Sequence, residues 1–388
     1  MGKLKIKLLA FKNADKNTFD SGKKIIENHL KNIKFEFVDN AQDVLFFITG
    51  GSEACSLKLL KKNALNILLS HDESNSYAAA TEVKAYCINN NINAALLDID
   101  DDNSIKFLSD YQKIKNALSK LNNQKLGLIG MPSDWLVASD VSENLLKKKF
   151  NINLIKFSDT LLFNYKNQSI SETFINAFKN NTDKNLSEES KVYSLLKELI
   201  IENNLNAITV ECFPLGNKYS VTACLALSML NNENIAAGCE GDLVSITSMM
   251  IVKEISGFVP WMANIANIKE NKCLFAHCTI QKNLIEDYYL KTHFETGKSL
   301  AVKGNFKNDT VTILRFNNNF TKAFIAKGKI VNRPEYNNAC RTQIEVLLDD
   351  KSIDLLKNSP LGNHHIIIPE DKTNILRLFC KIKEIETI

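Results

Sequence analysis

Residues 235–280 read IAAGCEGDLVSITSMMIVKEISGFVPWMANIANIKENKCLFAHCTI, and this stretch decides the fold. A short apolar strand (235–239) turns through Glu240-Gly241-Asp242 into an apolar helix (242–256). Two more strands follow, 259–264 and 272–277. A strand feeding a helix through a glycine turn is the unit of an α/β sheet, and ligands sit outside the carboxyl ends of such strands. Here those ends carry two carboxylates two residues apart, an amide at Asn264 and an imidazole at His277. Carboxylate with imidazole is the donor set of a divalent-metal site, and it favours manganese, magnesium or iron(II) over structural zinc.

Upstream, residues 1–122 alternate strands (5–11, 43–49, 64–70, 94–98) with helices (20–30, 53–62, 76–89, 105–121). The pattern repeats from Lys125, with strands 126–129, 153–157 and 207–211 and helices 170–180, 188–203 and 221–231. Alternation of this kind implies parallel pairing in doubly wound sheets. From Ser299 the texture changes to consecutive short strands (300–306, 311–316, 322–331, 343–348, 364–369), and only 372–383 reads as helix. The expected architecture is α/β: two doubly wound, Rossmann-like domains, 1–122 and 123–298, then an antiparallel β-rich, barrel-like domain, 299–388. A chain of 388 residues is long enough for two or three such cores.

Composition narrows the function classes. The net charge is +4, with no block of like charges and no basic-aromatic stripe, so nucleic acid is not indicated. No run of about 18 uncharged apolar residues predicts a membrane helix. Nine cysteines without C-x-x-C spacing argue against a structural zinc site, and their odd number suggests reduced thiols. The opening MGKLKIKLLAF reads as a first strand rather than a secretory signal, so a cytoplasmic protein is expected. Only Arg315, Arg333, Arg341 and Arg377 are arginines, the better forks for anions.

Several residues are candidates for chemistry. Glu240 and Asp242 flank Gly241, which lets the backbone approach a ligand; the competing reading of Asp242 is a helix N-cap. Glu211 ends the apolar strand AITVE and faces either a pocket or solvent. Ser133-Asp134-Trp135 follow a strand and a glycine turn; they either bind sugar hydroxyls and stack on a sugar face, or cap a helix and pack. His277 ends an apolar strand, where a satisfied core histidine is the commoner case. His364 and His365 are adjacent in a strand, so one of them at most enters a given site. By the same alternation, Cys239 and Cys278 are expected to point away from their ligand neighbours as buried thiols. Gly50-Gly51 lacks the phosphate-loop and dinucleotide patterns, and no G-x-S-x-G elbow occurs.

Together with ECFPL (211–215), CLALSMLN (224–231), ACRTQIEV (339–346) and PLGNHH (360–365), residues 238–280 resemble the L-fucose isomerase and L-arabinose isomerase superfamily. The resemblance covers residues 123–388 in order and is looser over 1–122. It implies two α/β domains with a β-rich C-terminal domain, a homo-oligomer (trimer or hexamer), and interconversion of an aldose and a ketose through an enediolate. It also implies a divalent metal, manganese before magnesium or iron(II). Glu240 then matches a metal ligand and acid/base, His277 and one of His364/His365 match ligand histidines, and Glu211, Ser133, Asp134, Trp135 and Arg341 become substrate-binding candidates. One departure stands out: Asn264 occupies the position of the second family carboxylate. An amide can ligate but cannot take a proton, so Asp242 or Glu211 becomes the substitute base. The rival expectations are a different enediolate chemistry (epimerase or lyase) on an anionic sugar, and a non-catalytic sugar-binding homologue.

Overall fold

Strands that are apolar along their whole length, such as VLFF and NILLS, are buried on both faces, which is what a parallel sheet covered by helices demands. The computed structural model describes residues 2–182 and 184–388. The chain packs as two units, one running up to Asn116 and one from Ala117 to Ile388.

The first unit holds β1 (Leu4–Leu9), β2 (Phe35–Phe37), β3 (Val44–Phe47), β4 (Asn66–Ser70) and β5 (Ala94–Asp98). They pair in parallel in the order β2-β1-β3-β4-β5. Leu45, Phe47 and Leu68 pack with Ala79, Ala80 and Val83 of the helix Ser76–Asn89.

The second unit opens with the same order. Strands β6 (Lys125–Ile129), β7 (Asn153–Phe157), β8 (Ala207–Val210) and β9 (Ala236–Cys239) run parallel as β7-β6-β8-β9. The chain reverses its direction of winding between β6 and β8, so a crevice opens at their carboxyl ends, Ile129 and Val210.

The remaining strands are β10 (Trp261–Lys269), β11 (Lys272–His277), β12 (Ile285–Thr292), β13 (Leu300–Phe306), β14 (Thr310–Phe316), β15 (Lys322–Asn332), β16 (Thr342–Leu347), β17 (His364–Pro369) and β18 (Glu386–Thr387). Six of them close into an antiparallel barrel, β14-β17-β10-β11-β16-β15, through the β14–β15 pairing. Strand β18 adds to β15 in parallel, and β12 with β13 forms a separate hairpin. The chain is therefore α/β with parallel sheets and a closed C-terminal β-barrel.

Three expectations are corrected. The strands at 259–264 and 272–277 join the barrel rather than the central parallel sheet. Only Glu270 and Asn271 separate β10 from β11, and a two-residue connection forces antiparallel pairing. Second, a helix at Asp350–Asn358 interrupts the expected run of strands; Asp349 caps it by accepting the Ser352 N–H at 2.8 Å, and Ile353 and Leu356 are its buried face. Third, β12 was not expected as a strand.

Candidate functional site

The second unit gathers chemistry where β9 ends. Cys239 is the last residue of β9, and Glu240 leaves it in the left-handed region, at φ 61°. Gly241 follows at φ 68°, and a Cβ there would stand 2.5 Å from the Met131 carbonyl oxygen. Glycine is required by this approach of the 131–136 loop to the turn. The loop is fastened by the Ser133 N–H donating to the Glu240 carbonyl at 2.9 Å.

Asp242 then starts the helix Leu243–Ser256 as its N-cap. Its Oδ1 accepts the Ser245 N–H at 2.7 Å and its Oδ2 accepts the Ser245 hydroxyl at 2.9 Å. Asp242 has no solvent exposure. Burial alone would push its carboxyl upward. The Arg315 charge 3.4 Å away, the His364 ring and the Ser245 N–H hold it instead well below the usual carboxylate range. Asp242 is therefore sealed behind the site, where it orients other groups.

The group it orients is His364. His364 Nδ1 donates to Asp242 Oδ2 at 2.9 Å, which leaves Nε2 buried, without a hydrogen-bond partner and 3.8 Å from Glu240 Oε1. Arg315, itself 1% exposed, binds Asp242, Ser245 Oγ (3.0 Å), Ser139 Oγ (2.8 Å) and the His364 carbonyl (3.1 Å). It is a fully engaged structural cation, not an open fork for an anion.

The histidine pair divides as strand alternation requires. His365 turns into the barrel, between Phe275 and Phe324 on opposite flanks of β17, and its Nδ1 donates to the Asn363 carbonyl at 2.8 Å. Burial drives its pKa down to about 3. It is not brought to Glu240. His277 is: its ring centroid lies 5.6 Å from that of His364. One of its ring nitrogens lies within 4.8 Å of a Glu240 carboxylate oxygen and of Cys239 Sγ. Burial, with the neighbouring His364 ring adding to it, lowers His277 to about 4, so the ring is neutral. Thr279 Oγ1 sits 2.9 Å from its Nδ1.

The proximity of Cys239 corrects the expectation that it points away. Alternation holds within a strand, but the left-handed Glu240 ends the strand and swings its side chain to the Cys239 side. Cys212 Sγ lies 3.2 Å from Cys239 Sγ. Cys278 does go elsewhere, packing with Cys224 and Ala301.

Of the other candidates, Trp135 and Ser133 bond to Glu240 and Asn264 pairs with His364. Trp135, 54% exposed as a residue, donates its Nε1–H to Glu240 Oε2 at 2.7 Å, and its ring packs edge-on against Phe213 at 4.9 Å. Ser133 Oγ is buried without a partner, whereas Asp134 is exposed. Glu211 Oε2 accepts the Met131 N–H at 2.8 Å and lies over Gly130, so it straps β8 to the end of β6. Asn264 pairs with His364 in register, but its amide oxygen accepts from Asn363 Nδ2 at 2.9 Å. Arg341 binds the Thr292 carbonyl through Nε at 2.6 Å and its hydroxyl through Nη2 at 3.3 Å.

That last contact anchors a turn the sequence did not single out, 293–297. Buried His293 packs edge-on to Phe213 at 6.2 Å, and Glu295 Oε2 is 3.8 Å from His293 Nε2. Partial burial, followed by the Glu240 charge, raises the Glu295 carboxyl. No motif marks Glu295; an acid two residues from a histidine was its only signal. Arg315 had a clearer one, as an arginine inside an apolar strand of a lysine-rich chain.

No helix of the described residues is long and apolar enough to cross a membrane. No protein-family model matches the chain. Among curated proteins, it is 31% identical over 103 residues to a sulfoquinovose isomerase of Alkalicoccus urumqiensis, covering 26% of this chain and 23% of that protein. It is 23% identical over 178 residues to a sulfoquinovose isomerase of Priestia megaterium, covering 42% and 40%. A third protein of that name, from Clostridium sp. (strain MSTE9), is 25% identical over 111 residues, covering 28% and 25%. The matches thus span 23% to 40% of the length of these curated relatives, and the similarity is to sugar isomerases.

Proposed function

We propose that the chain is an aldose–ketose isomerase acting on a sugar through an enediolate, at a divalent-cation site held by Glu240, His364 and His277. The observation that carries this reading is His364: Asp242 fixes its Nδ1, and its buried Nε2 has no protein partner 3.8 Å from Glu240 Oε1. A carboxylate behind an imidazole whose other nitrogen is left open beside a second carboxylate suits a cation ligand. When bound, a divalent cation polarises the sugar carbonyl and offsets the negative charge that develops on its oxygens.

The chain's own residues supply the rest. Trp135 fixes the Glu240 carboxylate and offers an exposed flat ring for a sugar face. Isomerisation moves a proton between adjacent carbons, which requires a base. Asn264 cannot serve and Asp242 is sealed, so we assign the proton transfer to Glu295, whose raised carboxyl suits a group that both takes and returns a proton. Arg341 holds the strand end that leads to it.

The relatives' names favour sulfoquinovose, a hexose carrying a sulfonate, as the substrate, and we assign the Arg341 guanidinium as its cationic partner. The test is to load the chelated protein with a divalent cation and incubate it in heavy water with sulfoquinovose and a panel of neutral aldoses. The expected result is ketose formation from the sulfonated sugar with deuterium at C1 of the ketose, and at C2 of the aldose re-formed from it. Absence of exchange into every sugar of the panel overturns the proposal.

A further inference from the structure

We infer that Cys239 is a ligand of the same cation site, so that the site selects a borderline cation such as zinc, iron(II) or cobalt(II) over magnesium or manganese. This rests on reading Glu240 and His277 as a cation site, and it changes which cation that site is built for.

Cys239 Sγ, a Glu240 carboxylate oxygen and a His277 ring nitrogen lie mutually within 4.8 Å, all three on buried residues. Ligands at roughly 2.0–2.3 Å from one tetrahedral ion stand about 3.5 Å apart, so side-chain rotation of about 1 Å closes the cluster. A second, independent feature points to a ligand on the same Glu240 carboxylate: His364 Nε2 is buried, unpartnered and 3.8 Å from Glu240 Oε1.

Without an ion, the Cys212 thiol and burial raise the Cys239 thiol, so a cation must displace its proton. Cys212 Sγ, 3.2 Å from Cys239 Sγ, can donate its S–H to a Cys239 thiolate, the outer-shell support that metal ligands usually receive. With Thr279 beside its Nδ1, His277 keeps Nε2 for the ion. The resulting donors are one sulfur, two nitrogens and one oxygen. Hard cations prefer all-oxygen sets, whereas sulfur with imidazole suits zinc, iron and cobalt. On ligation the thiol gives up its proton to solvent.

The test needs no sugar. Chelated protein is loaded with cobalt(II) and its near-ultraviolet spectrum recorded; zinc-loaded protein is examined by X-ray absorption at the zinc edge. We expect a sulfur-to-cobalt charge-transfer band and a sulfur neighbour at about 2.3 Å from zinc. We expect Cys239→Ser to lose the band and to bind cobalt 10–100-fold more weakly, and Cys278→Ser, a control on the neighbouring strand exit, to keep it. A cobalt complex without the band, or a zinc edge with only nitrogen and oxygen neighbours, removes Cys239 from the site while leaving a cation site standing. Failure to bind any cation removes the proposed centre as well. The spectra of the unmutated protein decide the matter even where a variant does not fold.

Discussion

His364 Nδ1 and Asp242 Oδ2 lie 2.9 Å apart with neither residue more than 1% exposed, and this bond fixes which nitrogen His364 presents to Glu240. Asp242→Asn keeps the volume but lets an amide nitrogen face the ring, so the orientation is lost. The expected result is a cation affinity 10–100-fold weaker by calorimetric titration, as for other outer-shell partners. Unchanged affinity would mean that Asp242 is only a helix cap.

Trp135 is one of two tryptophans, and the other, Trp261, is 1% exposed. Because Trp135 donates to Glu240, cation or sugar binding should change its fluorescence. Trp135→Phe should abolish that change and weaken binding by about 1.5–3 kcal/mol, the worth of a hydrogen bond to a charged group. A response that persists in the variant would move the ligand away from Glu240.

Glu295→Gln should lower kcat by about 10²–10⁴-fold with little change in KM, as loss of a general base does. Because Glu295 is raised, the acid limb of the unmutated enzyme's kcat/KM profile should lie above the ordinary carboxylate range, and it should disappear in the variant. Turnover by the unmutated protein together with full activity of Glu295→Gln would reassign the base without touching the isomerase reading.

The neutral buried histidines set a pH dependence of stability in the chelated protein. His277 titrates near 6.5 when unfolded and at about 4 when folded. Between those values the unfolded chain binds the extra proton, so stability rises with pH, is complete above about 6.5 and is lost as pH falls toward 4. The contribution is about 3 kcal/mol at most. Denaturant titrations from pH 7 to 4 should show the fall, and His277→Gln should lessen it, leaving the part that His365 contributes.

Gly241→Ala places a Cβ against the Met131 carbonyl at a backbone angle that disfavours side chains. The expected cost is about 1–3 kcal/mol, read as a lowered Tm, with cation affinity falling as the 131–136 loop retreats from Glu240.

Much of the fold was legible because parallel strands carry continuous apolar runs closed by turn residues, as at AITVE and IAAGC. Their partners were less so: β10 and β11 have the texture of core strands, and only the tight turn at Glu270-Asn271 dictates that they pair as a hairpin. For the candidate site, residue type and position singled out Glu240, His277 and the histidine pair as residues to examine. The choice between His364 and His365 depends on register, which no local pattern encodes. Cys239 was misjudged because alternation was carried one residue too far, past the left-handed Glu240. Glu295 was not readable because its turn is placed by tertiary packing, His293 resting on Phe213, a contact between segments far apart in the chain.

The register of β17 has a wider meaning. Its neighbours β10 and β14 both hydrogen-bond to it, pairing Ala263 with His365 and Leu314 with Ile366. A one-residue slip would exchange every side chain between the two faces, sending His364 into the barrel and His365 out to Asp242. An open sheet could slide at its edge; a closed ring must shift both ladders at once. The barrel is thus a ratchet with a single tooth engaged, and one residue inserted into the 359–363 connection would be taken up in the loop and leave the imidazole where it stands.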